Sequence, residues 1–110
     1  MDARKIDWNS IPWTPVREGV ERKAFSGESA TVALHRLMPG HKPKPHSHVN
    51  EQIAYIISGT MRFHVGDKSH LLGPGGVLFI PSNVEHWGEV VGDEPVLNLD
   101  VFTPRRPEYA

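Results

Sequence analysis

Along this chain the apolar positions fall into short alternations and brief runs, and no segment sustains a 3.6-residue period. Between Ala30 and Met38, Thr31, Ala33, His35 and Leu37 share one face of an extended segment, with Val32, Leu34, Arg36 and Met38 on the other. Gln52–Ile57, the turn Ser58-Gly59-Thr60 and Met61–Val65 read as a β-hairpin whose second arm sets Met61, Phe63 and Val65 against Arg62 and His64, ahead of a Gly66-Asp67 turn. Val77–Ile80 is a wholly apolar short strand. His86–Val91 and Val96–Phe102 follow it, parted by the turn Gly92-Asp93-Glu94-Pro95. Gly19–Phe25 supplies an opening strand, and Trp8 and Trp13 lie in an irregular or edge segment that covers part of the core or a subunit contact. Ten glycines and ten prolines punctuate the whole.

About eight to ten short strands in one chain predict an all-β fold, a jelly-roll β-barrel whose interior holds one small ligand. The 110 residues form one domain: an irregular N-terminal segment over about 1–18, a barrel over about 19–103 and a short C-terminal tail. So small a unit is expected to pair with a copy of itself as a homodimer. The longest apolar run is Ile53-Ala54-Tyr55-Ile56-Ile57, which predicts no membrane span, and MDARKIDWN lacks the apolar stretch of a signal peptide. The cytoplasm is therefore the expected location. A net charge of −1 gives no reason to expect nucleic acid or an anionic membrane, and with no cysteine there is no thiolate chemistry.

The chemistry gathers between Gly40 and Gly59. His46 and His48 are two apart, so on extended backbone their side chains leave on one side, and Gln52 shares their parity. Pro39, Pro43 and Pro45 keep a helix out of this stretch. His86 follows the turn-like segment Pro81-Ser82-Asn83. Three imidazoles and an amide oxygen suit one divalent transition metal with open positions, and nickel, zinc, manganese or iron would serve. Glu51 is the rival ligand to Gln52, disfavoured because a regular strand points it away. A neutral amide in place of a carboxylate leaves a bound cation more positive, which favours an anionic substrate.

These residues resemble the cupin superfamily. Gly40, His46, His48 and Gly59 fit its first motif, with Gln52 where glutamate is usual; Gly75, Pro81 and His86 fit its second, with Asn83 in place of a glycine. Asparagine tolerates the left-handed backbone that such a position requires. Within the superfamily the chain is similar to small single-domain cupins of the KdgF type, on the His-x-His followed by glutamine, the later histidine and the run Asp100-Val101-Phe102-Thr103-Pro104-Arg105-Arg106. That resemblance implies an enzyme of pectin and alginate degradation, opening the ring of a 4,5-unsaturated monouronate to give the linear 4-deoxy-5-keto sugar acid. It also implies Asp100, Phe102 and Arg106 as active residues.

Read on their own terms, Asn98, Asp100 and Phe102 share one face of the last strand, and Leu97, Leu99 and Val101 the other. The polar face is expected to meet the metal pocket, although a solvent-facing Asp100 is the plain alternative. Asp100 is the candidate general base, Phe102 a wall that keeps water out, and Arg106 the clamp on a substrate carboxylate, with Arg105 in competition. His35, His41, His64 and His70 are expected on exposed faces or loops, His41 also as a neighbour of the ligands; Tyr55, Met61, Phe63 and Phe79 are expected in the core or, failing that, in the pocket wall. The rival functions are a metal-dependent cupin dioxygenase or lyase on another small anion, and a non-catalytic sugar-binding cupin. The lack of a helix-turn-helix segment or basic patch counts against a regulator of nucleic acid.

Overall fold

A computed structural model describes residues 2–110. After a 3-10 turn at Trp8–Ser10, the chain forms β1 (Thr14–Arg17), β2 (Val20–Ser26), β3 (Thr31–Leu37), β4 (Glu51–Ser58), β5 (Met61–Val65), β6 (Lys68–Leu72), β7 (Val77–Ile80), β8 (His86–Val90) and β9 (Val96–Thr103). They build two antiparallel sheets, one of six strands in the order β1-β2-β3-β9-β4-β7 and one of three in the order β6-β5-β8. The arrangement is the all-β, jelly-roll architecture expected from the short alternating segments. No helix among the described residues is long and apolar enough to cross a membrane.

Strict alternation decides which side chains enter. In β4, Gln52, Ala54 and Ile56 are buried while Glu51, Ile53, Tyr55 and Ile57 are exposed; in β9, Val96, Asn98, Asp100 and Phe102 are buried. The core between the sheets is made by Val20, Leu37, Ala54, Ile56, Met61, Phe63, Ile80 and Val96. Met61 and Phe63 thus lie in the core as expected.

Four expectations need correction. β4 and β5 are not a hairpin: β4 pairs with β9 and β7, while β5 pairs with β6 and β8. The turn around Gly59 instead carries the chain from one sheet to the other. Gly59 has φ +83°, and a Cβ there would stand 2.5 Å from the carbonyl oxygen of Pro95, so neither the conformation nor the space admits a side chain. The local hairpin is β5–β6 about Gly66-Asp67, whose second arm, broken in its apolar pattern by Ser69 and His70, did not read as a strand. Thr14–Arg17, within the segment expected to be irregular or at an edge, is an edge strand on β2 whose register shifts between Pro15 and Arg17. Tyr55 and Phe79 are exposed on the outer face of the large sheet, because an antiparallel sheet packed on one side buries only one of its faces, even along an apolar strand.

Candidate metal centre

Backbone pairing brings the four predicted ligands together. His46 and His86 form an isolated antiparallel bridge, His46 N–H donating to the His86 carbonyl at 3.0 Å and His86 N–H to that of His46 at 2.8 Å. The loop before His86 is tied to the other ligand strand by Asn83 N–H, which donates to the His48 carbonyl at 2.8 Å. Asn83 stands at φ 64°, the left-handed conformation for which asparagine substitutes for glycine. Gln52 is buried on β4 opposite Phe102, and Glu51 points outward.

The side chains converge. One nitrogen from each of His46, His48 and His86 lies within 4.8 Å of the others, and the His46 and His86 rings approach to 4.4 Å between centroids. The tautomers follow from the partners: His46 Nδ1 faces the Lys44 carbonyl at 2.7 Å, His48 Nδ1 that of Asn50 at 2.9 Å, and His86 Nδ1 that of Val84 at 2.9 Å. A carbonyl oxygen only accepts, so each Nδ1 carries its hydrogen and each neutral ring turns a lone pair on Nε2 toward the shared centre. His86 Nε2 is buried with no hydrogen-bond partner.

Gln52 completes the pattern. Its Nε2 donates to Asp100 Oδ1 at 2.7 Å, which leaves Oε1 facing His48 Nε2 at 3.2 Å. With the His48 hydrogen on Nδ1, both of those atoms are acceptors. Two lone pairs held at that distance repel unless a cation lies in front of them. The donor set therefore fits a divalent metal: three neutral imidazoles and one amide oxygen, each oriented from behind by a second hydrogen bond.

Electrostatics keeps the imidazoles in the metal-binding form. Burial pushes the His86 pKa down to about 4, opposed by its bond to Val84 and reinforced by His46 and His48. Burial likewise lowers His46 and His48, with the Arg106 charge acting in the same direction on both.

Behind Gln52 lies the cavity. Asp100 is buried and lines the cavity, and its register neighbours on β3 and β4 are the small Ala33 and Ala54, both without exposed surface. It accepts from Gln52 on Oδ1, and from Asn98 Nδ2 at 2.9 Å and His35 Nδ1 at 2.8 Å on Oδ2. Phe102 is buried with its ring against that of His48 at 5.5 Å. Arg106 lies over Phe102 and Tyr109, with Nε and Nη1 buried and without hydrogen-bond partners and Nε 3.6 Å from the Glu108 carboxylate, whereas Arg105 is exposed and reaches only the Gly27 carbonyl.

Three further residues of the cavity went unpredicted. His35 is not on an exposed face: it bonds Asp100, and Arg22 Nε donates to its Nε2 at 3.0 Å. Tyr109, in the tail, is sandwiched between the guanidinium groups of Arg22 at 3.4 Å and Arg106 at 4.0 Å. The parity of β3, which puts His35 with Ala33, was legible, but the β2–β3–β9 register that lines Arg22, His35 and Asn98 in one row was not. His41 is buried against Gly19 rather than exposed, and it does not line the cavity. Arg17, Arg22 and Lys44 line the cavity against a single carboxylate, Asp100. The charged lining is therefore mostly cationic.

Comparison with known proteins agrees with this construction. The cupin-domain family matches residues 33–102, which include every candidate ligand. Acireductone dioxygenase of Bacillus cytotoxicus is 29% identical over 83 residues, 71% of this chain and 48% of that protein, so the chain spans about half the length of the curated relative it matches. Among solved structures, KdgF from a Halomonas species superposes with a TM-score of 0.90 at 22% identity, over 99% of this chain and 100% of that one. An RmlC-like cupin from Shewanella frigidimarina gives 0.88 at 18% identity, over 99% and 97%. At these identities the structural likeness establishes the fold. With a family match across most of its length, on top of the jelly roll and the converging histidines, this chain belongs to the cupin family.

Proposed function

We propose that the protein is a metal-dependent enzyme that opens the ring of 4,5-unsaturated monouronates to the linear 4-deoxy-5-keto acid. The observation that carries the reading is the setting of Asp100: an inward carboxylate that touches a candidate ligand, beside free space and within a rim of cations. His46, His48, Gln52 and His86 would hold the metal, which when bound supplies a Lewis acid for the substrate oxygen it receives.

The chain's own residues account for the rest. Arg106, buried at Nη1 without a hydrogen-bond partner and held at Nε only by a 3.6 Å ion pair to Glu108, is the guanidinium that would take the uronate carboxylate. Asp100 retains an unshared acceptor position on Oδ1 and takes the proton of the anomeric hydroxyl. As the C1 carbonyl forms, the bond from C1 to the ring oxygen breaks and that oxygen leaves as the C5 enolate. Asp100 returns the proton to C4, and the enolate becomes the ketone with no net proton change. Phe102 walls the site beside His48 and limits the access of water.

The test is incubation with unsaturated galacturonate, following loss of the ring-alkene absorbance. Turnover is expected in the metal-loaded protein, with a loss of ~10²–10⁴-fold in Asp100→Asn. Full turnover in that variant with normal metal uptake would remove Asp100 as the base. A second reading, a metal-dependent dioxygenase, draws on the likeness to acireductone dioxygenase. Oxygen consumption without ring opening would favour it.

The reading extends to a second copy of the chain as partner. Ile53 pairs with Phe79 and Tyr55 with Val77 across the outer face of the large sheet, all four exposed, with Ile57 beside them. No charge stands among these five side chains, Glu51 lying at one end of the row, and so extended an apolar surface is a site of association.

A further inference from the structure

His35 has a partner on each ring nitrogen, and the two partners differ in kind. Arg22 Nε donates to His35 Nε2 at 3.0 Å, and a guanidinium has no lone pair to offer in return. Nε2 must therefore be the bare nitrogen, so the hydrogen is on Nδ1, which faces Asp100 Oδ2 at 2.8 Å. The Arg22 guanidinium carbon itself lies over the Tyr109 ring at 3.4 Å, and the Tyr109 and His35 rings stand in a T-shaped arrangement 6.1 Å apart. The His35 side chain is 13% exposed, so solvent offers little competition for either nitrogen.

The string continues past the carboxylate. Asp100 Oδ1 accepts from Gln52 Nε2 at 2.7 Å, and that bond decides which end of the amide faces His48. Were Asp100 to swing away, the amide would be free to turn over and present N–H groups, which cannot ligate a cation, to the metal centre.

We propose that His35 is a positioning residue: Arg22 fixes it as the neutral Nδ1–H tautomer, and through that hydrogen it anchors Asp100, which in turn holds the Gln52 amide with its oxygen toward the metal. His35 touches neither metal nor substrate and takes up no proton in the reaction. Its effect on turnover rests on the ring-opening reading; its tautomer does not.

The experiment is long-range ¹H–¹⁵N correlation on histidine-labelled, metal-free protein. His35 is expected to show a protonated Nδ1 and a bare Nε2, and Arg22→Lys, which keeps the charge but loses the fork, to lose that single state. Hydrogen on Nε2 in the unaltered protein, or an unchanged tautomer in Arg22→Lys, overturns the proposal whatever the protein does to uronates. A kinetic arm compares His35→Leu with His35→Asn, whose amide nitrogen replaces Nδ1. His35→Leu is expected to lose ~10–100-fold in kcat with KM little changed, and His35→Asn to recover most of it. Equal losses in both variants, with metal uptake intact, contradict the proposal. A chain that opens no uronate yet shows the expected tautomers refutes the ring-opening reading and leaves the positioning of Asp100 standing.

Discussion

Glutamine at position 52, where this family usually carries glutamate, has a local cause in Asp100. A glutamate there would face the Asp100 carboxylate at the 2.7 Å now spanned by the amide bond, and two carboxylates so close resist joint ionisation. Gln52 therefore lets one position serve two neighbours, its oxygen toward the metal centre and its nitrogen toward Asp100. Gln52→Glu should bind metal as well as or better than the unaltered protein yet lose turnover, because one of the pair then holds a proton; Gln52→Glu with Asp100→Asn should restore the amide–carboxylate contact but not the base. Gln52→Ala should weaken metal binding ~10–100-fold while Glu51→Ala leaves it unchanged, as isothermal titration would show. Loss in the Glu51 variant alone would contradict the placement of Gln52 inside and Glu51 outside.

At the scale of elements, the turn at Gly59 is the joint between the sheets. Gly59→Ala forces a Cβ to 2.5 Å from the Pro95 oxygen at φ +83°, and should cost about 2–3 kcal/mol in denaturant unfolding without moving the metal ligands. An unchanged unfolding midpoint would contradict the close approach of β4 and β9 there. This joint also shows where sequence reading ends. Parity along one strand is written in the chain, so the inward face Asn98, Asp100 and Phe102 and the inward Gln52 were legible. Which strand lies beside which is not: a glycine turn between two apolar runs has the same local pattern whether the runs pair or part, and here they part. For the same reason Arg22 and Tyr109 escaped notice, since each joins the cavity only through register or through the fold of the tail. His35 was misplaced because its strand alternates apolar residues on both faces and gives no sign of which face looks inward.

Over the whole molecule, two consequences follow. The buried histidines bind protons less readily folded than unfolded: His86 falls from 6.5 to about 4, and burial also lowers His41, His46 and His48. Their contribution to stability is thus complete above pH 6.5 and is lost as the pH falls toward 4, since the unfolded chain takes up protons that the folded chain refuses. Metal-free protein should melt at progressively lower temperature across that window, and His86→Gln should flatten the slope; a melting temperature indifferent to pH would contradict burial of the neutral rings. The outer sheet face makes the second prediction. Tyr55→Glu or Phe79→Glu should give a monomer by light scattering with metal uptake retained, whereas an unaltered protein that is itself monomeric would remove the second copy from the account.

The central claim is that three imidazoles and one amide oxygen, each fixed from behind, hold a single cation inside the jelly roll. Metal analysis of the purified protein after equilibration with divalent ions tests it most directly, alongside His46→Ala, His48→Ala and His86→Ala. One transition-metal ion per chain in the unaltered protein, and little or none in the histidine variants, is the predicted result; an unaltered chain that retains no divalent ion, or histidine variants that retain as much as it does, would contradict the account.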